Sequence, residues 1–311
     1  MHLLYIDKNL SDNIYNIMIK LINHNKPNHF SLIKPKKTQR IPFIISSPHS
    51  GEMLTEHLYN KAVINKKAYL SMKDMYINDI SSLMKDTGAT ILQSNISRIV
   101  IDLNRDINEI DPYYISNPPK NIKFNISDKV KSGIGLIFTK NTAGKEIYDK
   151  KVIWKDIEYK INNYYLPWHN ILRREIDKLY KEFGRVFILD LHSMPSESGY
   201  KNNISDIVIG NDFNKSCSQL SVKILSDIIN SNGYKVSIND PYSGGYITKK
   251  YHSKENNIQC IQLEIRRDLY MNEENFEKKS KFQSFALNFK NIIKEFINEI
   301  NSREEKTLAA E

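Results

Sequence analysis

Cysteine is scarce: the chain holds Cys217 and Cys260 as its 2 cysteines among 311 residues. Neither lies in a paired-Cys motif, so they read as reduced thiols of a cytoplasmic protein rather than a disulfide framework. Long apolar runs are missing too. No stretch approaches the roughly 20 residues needed to span a bilayer, and a membrane is not expected as a partner. The opening residues, Met-His-Leu-Leu-Tyr-Ile-Asp-Lys, lack a basic region followed by an apolar one, so secretion is not expected. Acids are outnumbered, 36 Asp and Glu against 45 Lys and Arg, for a net charge of +9. The lysines are scattered, without the basic, aromatic-interleaved face of a nucleic-acid binder. No nucleic acid is therefore expected, and the charge suits a small anionic substrate.

What is present reads as an ordinary globular chain, 40% hydrophobic and 26% charged. Strand-like runs are Ile41–Ile45, Ala89–Gln93, Ile99–Leu103, Val186–Leu191, Asp206–Gly210, Tyr234–Ile238 and Asn257–Ile265. Helical spacing recurs through Ile14–Ile22, Asp74–Lys85, Tyr148–Phe183 with an interruption near Pro167, Lys215–Ile229 and Glu274–Ile300. This alternation predicts an α/β fold with helices on both faces of a mixed, largely parallel sheet. We expect residues 1–40 to form a leader with one helix, 41–302 a single catalytic domain, and 303–311 a polar tail. The long irregular stretch after Arg105 has the character of a functional or disordered loop.

In open α/β sheets ligands bind beyond the carboxyl ends of the strands. The notable polar residues sit at such ends: His49 and Glu52 in Pro48-His-Ser-Gly-Glu52, Asn104 and Arg105, His192, and Glu264 with Arg266. Each also has a purely structural explanation, such as a core histidine at 192 or a Glu264–Arg266 ion pair. Together, two histidines and a carboxylate make a three-ligand zinc site with one position open. Hydrolysis then needs a carboxylate outside the ligand set to carry the water proton, and Glu264 is the candidate. An arginine can stabilise a developing oxyanion, and an arginine beside an asparagine can grip a substrate carboxylate.

Several ordered segments resemble the N-formylglutamate amidohydrolase family, which is related to the zinc carboxypeptidases. They are Pro48-His-Ser-Gly-Glu52, Arg98-Ile-Val-Ile-Asp-Leu-Asn-Arg105, Gly133-Ile-Gly135 with Thr142–Tyr148, Leu189-Asp-Leu-His-Ser-Met-Pro195, Asp206–Gly210, Asn239–Thr248 and Gln262-Leu-Glu-Ile-Arg266. The resemblance spans about Pro42 to Tyr270. It implies a three-layer αβα fold like that of zinc carboxypeptidases, and Zn2+ held by His49, Glu52 and His192. It implies Glu264 as general base and acid, Asn104 and Arg105 on the substrate carboxylate, Arg98 on the carbonyl, and Gly244, Gly245 and Tyr246 lining the substrate pocket. The implied activity is hydrolysis of N-formyl-L-glutamate to formate and L-glutamate. The alternatives are a peptidase or deacylase of other N-acyl amino acids, or a binding protein on the same fold. The Asn- and Lys-rich insertion around residues 113–131 falls outside the resemblance and bears on the substrate pocket. The sequence leaves the acyl group and the oligomeric state open.

Overall fold

Strand β2 (Phe43–Ser47) and strand β6 (Val186–Met194) are buried at every position, which a strand achieves only when both faces of its sheet are covered. They lie side by side in a seven-stranded sheet of order β1-β3-β2-β6-β9-β7-β8. The other strands are β1 (Phe30–Ile33), β3 (Thr90–Ser94), β7 (Ile207–Gly210), β8 (Val236–Ile238) and β9 (Ile258–Arg266). Pairings β2–β3, β2–β6, β6–β9 and β7–β8 are parallel, while β7 runs antiparallel to β9. The sheet is thus mixed and mostly parallel, as the sequence predicts. The structure is a computed structural model that describes residues 28–55, 62, 64–197 and 205–308. The helix expected at Ile14–Ile22 lies outside the described residues.

The described residues divide into two compact units: those within 28–31, 49–73 and 94–170 form one, and those within 32–48, 74–93 and 171–308 the other. The second unit holds nearly all of the sheet. Register aligns Phe43 with Phe187, and both rings meet Phe296 of the C-terminal helix, Phe282–Leu308, on one face. Burying side chains such as Ile188, Leu189 and Ile261 completely contributes about 1.5–3 kcal/mol each. The opposite face is unusual. In register it carries Ser46, Asp190 and Gln262, then His192 and Glu264.

The first unit is mostly loop and helix. Strands β4 (Ile115–Ser116) and β5 (Val152–Ile153) pair within it. Ile99–Leu103, expected as a strand, forms turns instead. Its Ile99, Val100, Ile101 and Leu103 are fully buried, so the apolar signal reports burial rather than ladder pairing. The irregular stretch after Arg105 includes a 3-10 turn at Pro112–Tyr114 and a short helix at Asp128–Lys131. The expected long helix begins at Trp154 rather than Tyr148, and its interruption is a π turn, Ile161–Tyr165, leading into Leu166–Phe183. Pro167 lacks the N–H that the ladder needs, and a widened turn just upstream accommodates it.

Candidate active site

In the sheet-bearing unit the site starts at the carboxyl end of β6. His192 follows the apolar run Val186–Leu189, and alternation puts it on the same face as Asp190. Its Nε2 lies 2.8 Å from Asp190 Oδ2, and its Nδ1 lies 3.0 Å from Asp74 Oδ2. Burial alone would lower the His192 pKa, but Asp190, Asp74 and Glu264 raise it well above the ordinary histidine value. Asp74 is buried beside Arg267, whose Nη2 reaches Asp74 Oδ1 at 3.4 Å and whose Nε donates to Ser193 Oγ at 3.0 Å.

Glu264 stands directly opposite His192 in the parallel β6–β9 register. It is buried, and its Oε1 accepts from Gln262 Nε2 at 2.8 Å. Gln262 in turn accepts from Gly245 N at 2.7 Å, tying the Gly244–Gly245 segment to the strand that carries Glu264. That segment leads into a short helix, Tyr246–Tyr251, rather than turning back as a hairpin. Gly244 sits at φ +123, where a side chain would be strained, and a Cβ there would press on Thr248. Arg266 pairs with Asp206 at 2.8 Å and Asp268 at 2.6 Å.

The segment Pro48-His-Ser-Gly-Glu52 follows β2 directly, and from His49 onward it belongs to the first unit. Gly51 lies so close to the Ile96 carbonyl that a Cβ would overlap the backbone, which is why the turn carries glycine. His49 Nε2 lies 2.7 Å from Asp102 Oδ1. Asp102 is fully buried and also accepts from Arg98 Nη2 at 2.7 Å and from Asn104 N at 2.8 Å. Arg105 Nη2 is 3.9 Å from its second oxygen. Burial would raise the Asp102 pKa, but His49, Arg105 and Arg98 hold it well below the ordinary carboxylate range. An ionised carboxylate only accepts, so His49 Nε2 carries the proton in that contact.

Arg105 is braced along its length. Its Nε donates to Ile134 O at 2.9 Å and its Nη1 to Asn104 O at 2.8 Å. Tyr165 of the π turn donates its hydroxyl to Arg105 O at 2.8 Å. Arg98 lies over the Phe138 ring, 5.1 Å from its centroid. Glu52 is oriented differently from the histidines: its side chain is 74% exposed and accepts from buried Lys73 Nζ at 2.7 Å.

The structure therefore assembles Glu264, His192 and the Gly245 segment in one unit, and His49, Arg98, Asn104 and Arg105 in the other. Sequence reading missed Asp74, Asp102 and Asp190. Asp102 and Asp190 lie inside the Arg98–Arg105 and Leu189–Pro195 segments, while Asp74, expected to start a helix, precedes one that begins at Ile77. His49, Asp74 and His192 are buried, and each offers one metal-ligand atom.

A family model described as N-formylglutamate amidohydrolase matches residues 41–271. The N-formylglutamate deformylase of Pseudomonas putida is 26% identical over 239 residues, covering 75% of this chain and 83% of its own. The N-formylglutamate deformylase of Pseudomonas aeruginosa is 25% identical over 243 residues, covering 76% and 85%. The crystal structure of N-formylglutamate amidohydrolase from Ralstonia eutropha JMP134 superposes with a TM-score of 0.81 at 27% identity, covering 88% of this chain and 99% of that one.

Proposed function

Because the chain belongs to the N-formylglutamate amidohydrolase family, matched over residues 41–271, we propose that it hydrolyses N-formyl-L-glutamate to formate and L-glutamate with the aid of zinc. The observation that carries the zinc reading is that each histidine turns its Nε2 to a buried carboxylate, His49 to Asp102 and His192 to Asp190. A carboxylate behind one ring nitrogen orients a histidine so that the other nitrogen serves as ligand. The donor set, imidazole nitrogens with a carboxylate oxygen, is one that zinc takes.

His49 and His192 would hold the ion through Nδ1. Two carboxylates compete for the third place. The His-x-x-Glu spacing favours Glu52, and the 3.0 Å contact of Asp74 with His192 Nδ1 favours Asp74. Zinc content of Glu52→Gln and Asp74→Asn decides between them. When bound, the ion supplies Lewis-acid polarisation of the formyl carbonyl.

The rest falls to this chain's own residues. Glu264 takes a proton from the attacking water and delivers it to the amide nitrogen as the C–N bond breaks, so that formate and the free amine leave. Arg98 offsets the charge that develops on the carbonyl oxygen. Arg105 and Asn104 hold the substrate carboxylate, which a positively charged protein also draws in from solution. Gly244, Gly245 and Tyr246 line the pocket, their backbone anchored through Gln262 to the Glu264 strand.

A hydrolysis screen of N-formyl, N-acetyl and N-succinyl amino acids with zinc-loaded protein tests the proposal. Fastest turnover of N-formyl-L-glutamate is expected. Preference for another acyl group would make the protein a deacylase of different range, and no turnover of any member would leave a binding protein.

A further inference from the structure

Asp102 is fully buried, and its two oxygens contact several residues of the site. Its Oδ1 accepts from His49 Nε2 at 2.7 Å and from Asn104 N at 2.8 Å, while its Oδ2 accepts from Arg98 Nη2 at 2.7 Å, with Arg105 Nη2 at 3.9 Å. One carboxylate thus touches a proposed metal ligand, the proposed carbonyl-polarising arginine and the backbone of the proposed carboxylate-binding pair. We infer that Asp102 is a positioning residue shared by metal binding and substrate binding, so that one side chain sets the geometry of both. The inference rests on the zinc-hydrolase reading above.

The chemistry of the side chain explains why aspartate is required. A carboxylate offers acceptor lone pairs on both oxygens, whereas an amide of the same shape offers one acceptor edge and one donor edge. His49 Nε2–H and the Arg98 guanidinium are both donors. In Asp102→Asn the amide NH2 must face one of them, so one contact is lost whichever way it turns. Asp190 is the internal comparison: it is equally buried and makes the corresponding contact to His192 Nε2 at 2.8 Å. The Asp102 contacts to Arg98 and Asn104 give it a second role that Asp190→Asn leaves intact.

The test compares parent, Asp102→Asn and Asp190→Asn by zinc affinity in chelator competition and by KM for N-formyl-L-glutamate in zinc-saturated protein. Imidazole nitrogen shifts of the metal-free proteins report the His49 tautomer. Losing a carboxylate behind a metal-binding histidine typically costs about 10–100-fold in metal affinity. Both variants should lose about that much, but only Asp102→Asn should also raise KM. Zinc affinity and KM within twofold of the parent in Asp102→Asn would overturn the inference. If the parent takes up no zinc and leaves the substrate intact, the hydrolase reading fails, and the tautomer alone judges Asp102. His49 held as Nε2–H in the parent and mixed in the variant would support its positioning role, and identical tautomers would overturn it. If Asp102→Asn does not fold, Arg98→Gln gives the same reading from the partly exposed side. Removing Arg98 frees one Asp102 oxygen, so zinc affinity should fall severalfold, and unchanged affinity would overturn the coupling.

Discussion

Glu264 and Arg105 each take hydrogen bonds with neutral groups, while Arg105 also lies 3.9 Å from the Asp102 carboxylate. Glu264 Oε1 accepts from the Gln262 amide, and Glu264→Gln preserves shape and reach. It cannot accept a proton, so kcat should fall by about 10²–10⁴-fold with zinc content unchanged, measured by steady-state kinetics and metal analysis. Arg105 donates to the carbonyls of Ile134 and Asn104 through Nε and Nη1. Lysine cannot reproduce this planar fork, and Arg105→Lys should raise KM strongly for the acid substrate while barely changing turnover of a formamide without a carboxylate. Glu175, remote in sequence from the motif segments, is a charged residue with a different task. Burial would raise its pKa, but Lys34 and Lys178 bring it below the ordinary glutamate value. A depressed folded pKa means stability present above the unfolded value and lost as pH falls through the folded one. Glu175→Gln should therefore flatten the acid side of the stability profile, read from urea midpoints between neutral pH and the carboxylate range.

The turn after β2 depends on a close backbone approach. Gly51 packs against the Ile96 carbonyl, and Met53 N donates to Asn95 O at 2.8 Å across the same contact. Gly51→Ala forces the two segments apart, at a cost of about 1–3 kcal/mol by the usual effect of overpacking. The same shift moves His49, so the variant should lose both thermal stability and zinc. Loss of stability with full zinc content would show that His49 does not depend on this turn. The π turn Ile161–Tyr165 braces Arg105 in a similar way, presenting the Tyr165 hydroxyl to Arg105 O.

At the scale of the whole molecule, β2, β6 and β9 supply an apolar interior that includes Ile44, Leu189, Leu191 and Leu263 at 0% exposure, and a core of this kind is expected to fold without a metal. Zinc should therefore stabilise a protein that is already folded. Binding only to the native state raises stability by about 2.7 kcal/mol when free ligand is 100 times its dissociation constant. The thermal midpoint should rise with zinc concentration and return after chelation, with native circular dichroism at both ends. Unfolding on chelation would assign zinc a structural role instead.

The strands and the residues at their ends were legible because burial and alternation act locally. Phe43–Ser47, Val186–Met194 and Ile258–Arg266 start within two residues of their predicted bounds, and β6 continues through His192 to Met194. The motif segments carried enough order along the chain to identify the family, since the order of such segments is itself a property of sequence. What sequence could not decide was which charge faces which. Asp102 and Asp74 look like any other acids along the chain, and become partners of His49 and His192 only when segments distant in sequence are folded against one another, whereas Asp190 meets His192 through the two-residue alternation of its own strand. Ile99–Leu103 failed as a strand for the same reason: its apolar residues require burial, but whether the backbone finds a ladder or a turn depends on which neighbours the fold supplies. Local chemistry selected the histidines, and tertiary contact selected the carboxylates that orient them.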